Sequence, residues 1–253
     1  MRKILALLLI ASSFVNAQFY QIDYEFKSQM AFTDEGLQQF SQAVPDAKQR
    51  EMILDGMKNI PVMNFTFSFN TSESKTVFEP KLNNSQAQQG PFPAIPPAKI
   101  GTNSIVKYNE KMFYDEADVM GKKFLIYDSI HLVDFNETGK TKEILGKKVK
   151  ESKGKYQNFE VIAWFDDSNP NHFSPDGFYG TNGLILELHY KYLKDGVEVL
   201  SSWIPSKITT LKSAPVFKYN QQLKKITFAE MEKLYEEFNN QQREASNSGV
   251  DRK

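Results

Sequence analysis

The sequence predicts an α+β fold: a large, curved, mainly antiparallel β-sheet with a few packed helices, one of them C-terminal. Three observations carry this. Aromatic side chains are abundant, with 20 Phe and 11 Tyr, and such residues suit pleated, half-buried surfaces. Alternating runs follow one another with short turns between them, which favours antiparallel pairing over βαβ units. A capped amphipathic pattern then closes the chain.

Taken in order, Met1, Arg2 and Lys3 precede the apolar run Ile4 to Ala11, and Val15-Asn16-Ala17 offers a small-residue cleavage site before Gln18. This order is that of a secretory signal peptide over residues 1–17. The apolar run is too short to cross a bilayer core of roughly 30 Å. A protein with this leader is expected to be periplasmic or secreted after cleavage. Tyr20, Ile22, Tyr24 and Phe26 alternate with polar neighbours, a strand with one wet face. Thr33 or Asp34 caps a helix bearing Leu37, Phe40 and Val44. A second helix from Pro45 to about Asn59 is expected to bury Met52, Ile53 and Met57. Met63, Phe65, Phe67 and Phe69 mark the clearest strand, with Lys75 to Glu79 pairing beside it.

Residues 80–101 hold a polar run and Pro91, Pro93, Pro96 and Pro97. They read as a mobile Pro-rich loop or a recognition segment. Strand-like runs follow at Ser104–Tyr114, Lys122–Ser129, His131–Phe135, Lys142–Lys150, Phe159–Phe165, Gly183–Tyr192 and Val197–Ser201, with one or two more within Ile204 to Tyr219. Turn signals lie at Asn136 to Gly139, Lys153-Gly154 and Asp195-Gly196. Thr227 and Glu230 form a capping box for a final helix whose stripe is Phe228, Met231, Leu234, Tyr235 and Phe238. Residues 242–253 read as a polar tail, leaving 18–241 as one β-rich domain.

Composition narrows the function. Basic and acidic side chains balance at 31 each in the full chain, so no global field attracts nucleic acid. No stretch after residue 17 is long and apolar enough for a transmembrane helix. The absence of cysteine excludes disulfides, thiolate metal sites and thiol catalysis.

Phe124-Leu125-Ile126-Tyr127-Asp128, Ala163-Trp164-Phe165 and especially Gly180-Thr181-Asn182-Gly183-Leu184-Ile185-Leu186-Glu187 resemble the GLPGLI family. Its members are exported Bacteroidetes proteins of unknown function, named for a Gly-Leu-Pro-Gly-Leu-Ile motif. The resemblance covers most of the mature chain, including Phe67 to Ser74, and implies an exported protein without assigning an activity. Two features depart from the pattern. Thr181-Asn182 replaces Leu-Pro, and the Lys-rich turn at Lys142 to Val149 is not followed by the family's frequent Cys. The motif Gly180, Thr181, Asn182, Gly183, Leu184 and Ile185 has two readings: a structural corner opening a core strand, or a binding loop. In that strand Leu184, Leu186 and Leu188 share one side, with Ile185, Glu187 and His189 on the other.

His131, His172 and His189 lack the i, i+4 spacing of a metalloprotease helix. Asp166 to Asn171 fails the EF-hand template, because His172 and Phe178 fall where Gly and Glu are required. No nucleophile elbow, P-loop or dinucleotide fingerprint occurs. No cofactor or metal ligand set is therefore assigned. The expected function is a non-catalytic envelope protein binding an apolar ligand or a protein partner. The alternatives are a structural or assembly accessory of an outer-membrane receptor and a hydrolase using dispersed residues. The last requires at least two of Asp166, Asp167, Asp176, His172 and His189 to converge in one cleft.

Overall fold

The computed structural model of the protein describes residues 19–80 and 103–248. The signal peptide expected over residues 1–17 and almost all of the expected Pro-rich loop lie outside these residues. The chain runs β1 (Phe19–Phe32), α1 (Asp34–Ala43), α2 (Ala47–Lys58), β2 (Met63–Phe69), β3 (Glu73–Phe78), β4 (Asn103–Lys107), β5 (Met112–Val119), β6 (Lys122–Ser129) and β7 (His131–Leu132). It continues through β8 (Asn136–Ile144), β9 (Lys147–Tyr156), β10 (Phe159–Asp166), β11 (Phe178–Tyr179), β12 (Leu184–Lys194), β13 (Val197–Leu211), β14 (Lys224–Thr227) and α3 (Phe228–Ser248).

One large sheet of twelve strands has the order β14-β6-β5-β4-β3-β2-β1-β13-β12-β10-β9-β8. It is open, with β14 and β8 at its edges. Its pairs are antiparallel except β14 on β6, which runs parallel. β7 and β11 form a separate parallel pair. Among the described residues the protein is thus predominantly β, with three helices and a mainly antiparallel sheet, as composition and patterning predict.

Turn chemistry sets much of the register. Met120-Gly121, Leu145-Gly146 and Asp195-Gly196 each have positive φ at both positions. That geometry matches the right-handed strand twist in two-residue hairpins. Of the three, Asp195-Gly196 is the turn expected from sequence. Met120-Gly121 joins β5 to β6 ahead of the run expected at Lys122, and Leu145-Gly146 divides an expected run: Lys142–Lys150 is the β8–β9 hairpin, not one strand. Likewise Ser104–Tyr114 splits into β4 and β5 around Lys111, whose φ is 54°.

Lys153-Gly154 proves not to be a turn. It lies within β9, and Gly154 is required because a Cβ there would overlap Val133 and the Asp134 carbonyl. Asn136 to Gly139 opens β8, where the register with β9 shifts between Glu137 and Thr141. β13 reaches Leu211, absorbing much of the run expected to hold further strands. His131–Phe135 contributes only the short β7.

α1 begins at the expected cap Thr33, whereas α2 begins after Asp46, just past the start expected at Pro45. Gly36 N donates to Thr33 Oγ1 at 3.1 Å, and Gln49 N donates to Asp46 Oδ1 at 2.7 Å. The capping box of α3 is present, with Thr227 N donating to Glu230 Oε2 at 2.7 Å and Glu230 N to Thr227 Oγ1 at 3.2 Å. α3 continues to Ser248, beyond the expected end at Gln241. Met57 is buried on α2, but Met52 and Leu37 are exposed. One side of each short helix suffices to cover the sheet end, so the remaining apolar residues stay in solvent.

Phe65, Phe67 and Phe69 of β2 and Ile22, Tyr24 and Phe26 of β1 are buried with Trp203 of β13. Trp203 meets Tyr24, Phe26 and Phe65 with ring centroids 5.7, 5.0 and 4.8 Å away. Segment 167–183 lies across this aromatic surface. Phe173 stacks on Tyr108 at 3.9 Å and meets Phe69 at 5.6 Å. Phe178 packs against Tyr190 and Phe159. Asp176, fully buried, accepts from the Tyr190 hydroxyl at 2.6 Å and from Trp203 Nε1 at 3.1 Å. The chain's own segment therefore fills the aromatic face. A smaller core joins Val106, Phe113, Ile126 and Ile226 to Phe228, Met231 and Leu234 of α3.

Candidate functional site: the outward groove on β9, β10, β12 and β13

Alternation divides the residues of β10, β12 and β13 between two faces. Ala163, Leu188, Tyr190 and Trp203 are buried, whereas Ile162, Trp164, Glu187, His189 and Ser202 between them are half-buried. Register carries the second set into rows. Lys153, Ile162, His189 and Ser202 pair successively across β9, β10, β12 and β13. Lys155, Glu160, Lys191 and Leu200 form the next row.

These two rows floor an open groove of about 830 Å³, with Asp134 and Asn136 at its β8 end. Ile162 and Leu200 supply apolar side chains, Leu200 being 43% exposed. The lysines above it are engaged at their heads. Lys191 pairs with Glu160 at 3.1 Å, Lys155 with Glu160 at 3.5 Å and Lys153 with Glu151 at 3.7 Å. The Glu151 carboxyl is buried, whereas the two pairs on Glu160 lie in solvent and add little stability. They leave a rim of mixed charge around an apolar strip.

At one side of the groove stands a connected polar array. His189 Nε2 lies 2.6 Å from Glu187 Oε1, and His189 Nδ1 lies 2.7 Å from Ser202 Oγ. Lys142 Nζ, from β8, donates to the same Glu187 oxygen at 2.6 Å and sits 4.3 Å above the Trp164 ring. Burial pushes the Glu187 carboxyl up, but hydrogen bonds from His189 and Lys142 outweigh it and hold the group below its ordinary value. Glu187 is then acceptor-only, so His189 Nε2 donates to it, and Nδ1 meets Ser202 Oγ as an acceptor in the neutral ring or as a donor in the imidazolium. In the neutral ring the Nδ1 lone pair accepts from the Ser202 hydroxyl. A carboxylate, an imidazole and a hydroxyl are thus polarised in one direction, the hydroxyl facing the groove.

The expected site residues lie elsewhere. Gly180 has φ of 135°, and a Cβ there would overlap the Val133 carbonyl oxygen. A Cβ at Gly183 would overlap the Asp166 carbonyl oxygen. Thr181 Oγ1 donates to the Gly183 carbonyl at 2.8 Å, and the Thr181 carbonyl lies 2.6 Å from His172 Nδ1. Leu184 and Ile185 are fully buried. No residue from Gly180 to Ile185, Asn182 included, lines the groove.

The five dispersed candidates also separate. Asp166 is buried, accepting from Ser168 N at 3.0 Å and pairing with Lys147 at 3.4 Å. Asp167 pairs with Lys150 at 2.7 Å in solvent, and Asp176 lies in the aromatic core. Of the five, His189 alone lines the groove. Among the described residues no group of three or more His, Asp or Glu side chains is placed to hold a metal ion. No helix among them is long and apolar enough to cross a membrane.

Ser202, Lys142, Ile162 and Leu200 were not singled out by sequence. One signal pointed to Ser202. With Asp195-Gly196 as a two-residue turn, Lys194 faces Val197, and counting outward from that pair sets His189 opposite Ser202.

No family model matches the sequence, and no curated protein is similar enough to count as a match. Solved structures resemble the fold. PNGF-II in its C2 crystal form superposes with a TM-score of 0.50 at 14% identity, over 86% of this chain and 32% of that one. A second crystal form of PNGF-II gives 0.44 at 14% identity, over 86% and 33%. The chain spans about a third of the length of these proteins. At that identity the likeness concerns the fold alone.

Proposed function

We propose that the protein is an exported, GLPGLI-type envelope protein that works by binding an apolar small molecule with one polar end in the outward groove. The observation that carries this is the groove itself: about 830 Å³, with Ile162 and Leu200 on its floor and His189 and Ser202 at one side. That volume suits a small molecule, since such clefts measure roughly 300–1,000 Å³. The apolar body lies along Ile162 and Leu200, and the polar end meets His189 and Ser202. The leader at residues 1–17 supports export to the periplasm or beyond.

The sheet is read as curving about segment 167–183, which touches β2 through Phe173, β3 through Pro175 and β12 and β13 through Asp176. An interior filled in this way leaves the opposite surface for ligand. The Gly180 to Ile185 motif then serves as a structural corner. Its glycines let β12 and its approach pass against the Asp166 and Val133 carbonyls.

Isothermal titration calorimetry with octanoate tests the reading. Wild-type protein is expected to bind, and Ile162→Glu and Leu200→Glu to lose most of that binding while keeping the wild-type circular dichroism. Absence of octanoate binding, or equal affinity in all three proteins, would remove the groove as an apolar site.

A further inference from the structure

We propose that Ser202 is an activated hydroxyl that accepts an acyl group from an ester or thioester lodged in the groove. This goes beyond binding, and it rests on the groove reading only in that the acyl donor reaches Ser202 by that route. Two short contacts carry it: His189 Nδ1 to Ser202 Oγ at 2.7 Å and His189 Nε2 to Glu187 Oε1 at 2.6 Å. Such a line is how a weak hydroxyl nucleophile is activated: a base takes its proton while a third group fixes the base.

Each member is held independently of any ligand. Glu187 is anchored by Lys142 at 2.6 Å and is only 13% exposed, so its attraction for the imidazolium that forms in the reaction is weakly screened. His189 and Ser202 face each other across the β12–β13 ladder. Backbone pairing thereby fixes their separation, with no loop to order. Ser202 also lines the open groove.

In the step, Ser202 Oγ forms a bond to the carbonyl carbon as its proton passes to His189 Nδ1. The tetrahedral adduct then breaks its bond to the leaving oxygen or sulfur, which takes that proton from Nδ1. The products are acyl-Ser202 and an alcohol or thiol. Glu187 stays ionised throughout. Ser202 sits between Lys27 of β1 and His189 of β12 in the ladder, so its backbone offers no nest of free N–H groups for the oxyanion. Preorganised donors of that kind supply much of the rate of serine hydrolases. The structure therefore assigns a slow, stoichiometric acylation of Ser202, not rapid turnover.

The lack of cysteine in the chain gives a clean test. Ser202→Cys introduces a lone thiol whose reactivity reports the adjacent base. Its alkylation by iodoacetamide at neutral pH should run roughly fivefold faster than in the Ser202→Cys, His189→Phe double variant, through a larger thiolate fraction. Equal rates in the two would overturn the proposal. Independently, wild-type protein treated with p-nitrophenyl acetate should gain one acetyl group, located by peptide mass spectrometry on the peptide holding Ser202 and lost in Ser202→Ala. Acetylation elsewhere, or none, would also overturn it. Wild-type protein that binds octanoate yet stays unacetylated at Ser202 disproves this inference alone. Acetylation of Ser202 without octanoate binding disproves only the apolar-ligand reading.

Discussion

Replacing Trp203 by Phe removes one hydrogen-bond donor from the aromatic core while keeping a ring in place. Trp203 is fully buried, and its Nε1 donates to the equally buried Asp176 carboxyl at 3.1 Å. Losing one partner of a buried polar pair costs about 1–3 kcal/mol. The smaller ring also withdraws apolar atoms from contact with Tyr24, Phe26 and Phe65, adding about 1 kcal/mol at the usual value per buried methylene. The sum is a destabilisation of about 2–4 kcal/mol. For a chain of this length each kcal/mol moves Tm by about 2–4 °C, so a fall of roughly 4–16 °C is expected. Urea unfolding followed by far-ultraviolet circular dichroism measures it, and Trp164 remains as a fluorescence probe. Pairing the change with Asp176→Asn in a double-mutant cycle isolates the coupling between the two groups. A Trp203→Phe protein within 0.5 kcal/mol of wild type would refute the argument that Asp176 ties segment 167–183 to the sheet.

Further outcomes follow from the same geometry. Gly183→Ala pushes a methyl group into the Asp166 carbonyl and should cost about 1–3 kcal/mol by overpacking, read as a lower urea midpoint. Gly146→Ala meets no atom but keeps a φ of 79°, so it should cost only about 1 kcal/mol. Met52→Lys should change stability by less than about 0.5 kcal/mol, because Met52 is 55% exposed. Glu187 is held below its ordinary value of 4.5, so its contribution is complete above that value and fades as pH falls through the lower folded value. Glu187→Gln should flatten the acid limb of a stability–pH curve below about pH 4.5. An unchanged acid limb would show that the His189 and Lys142 contacts do not stabilise the ionised carboxyl.

Local chemistry made much of the fold legible, and distant contacts explain most of what it hid. Met63 to Phe69 alternates strictly, and Thr227 with Glu230 forms a self-contained cap, so β2 and the start of α3 were readable from neighbours alone. The β8–β9 hairpin was not, because Leu145 is a poor turn former on propensity, yet it adopts φ of 48° beside Gly146. Lys153-Gly154 misled for the opposite reason. Its glycine answers the approach of Val133 and Asp134, residues remote in sequence, and not a local turn. Parallel pairing of β14 with β6 depends on the chain returning across the sheet, which no local pattern announces.

The site was half legible. Strand alternation places Glu187 and His189 on one side, and the Asp195-Gly196 turn fixes Ser202 opposite His189. Lys142 could not be found so. It reaches Glu187 from β8, across β9 and β10. Asp176 read as a catalytic candidate because sequence shows the carboxyl but not the Tyr190 and Trp203 donors that occupy it.

The central claim is that ligand meets the outward groove while the aromatic face is already full. Methyl NMR of the isotope-labelled protein during octanoate titration tests this most directly. Saturable shifts at the Ile162 and Leu200 methyl groups, with Ile22, Leu186 and Leu188 unmoved, are the predicted result. Shifts centred on those three core residues, with Ile162 and Leu200 unaffected, would contradict it.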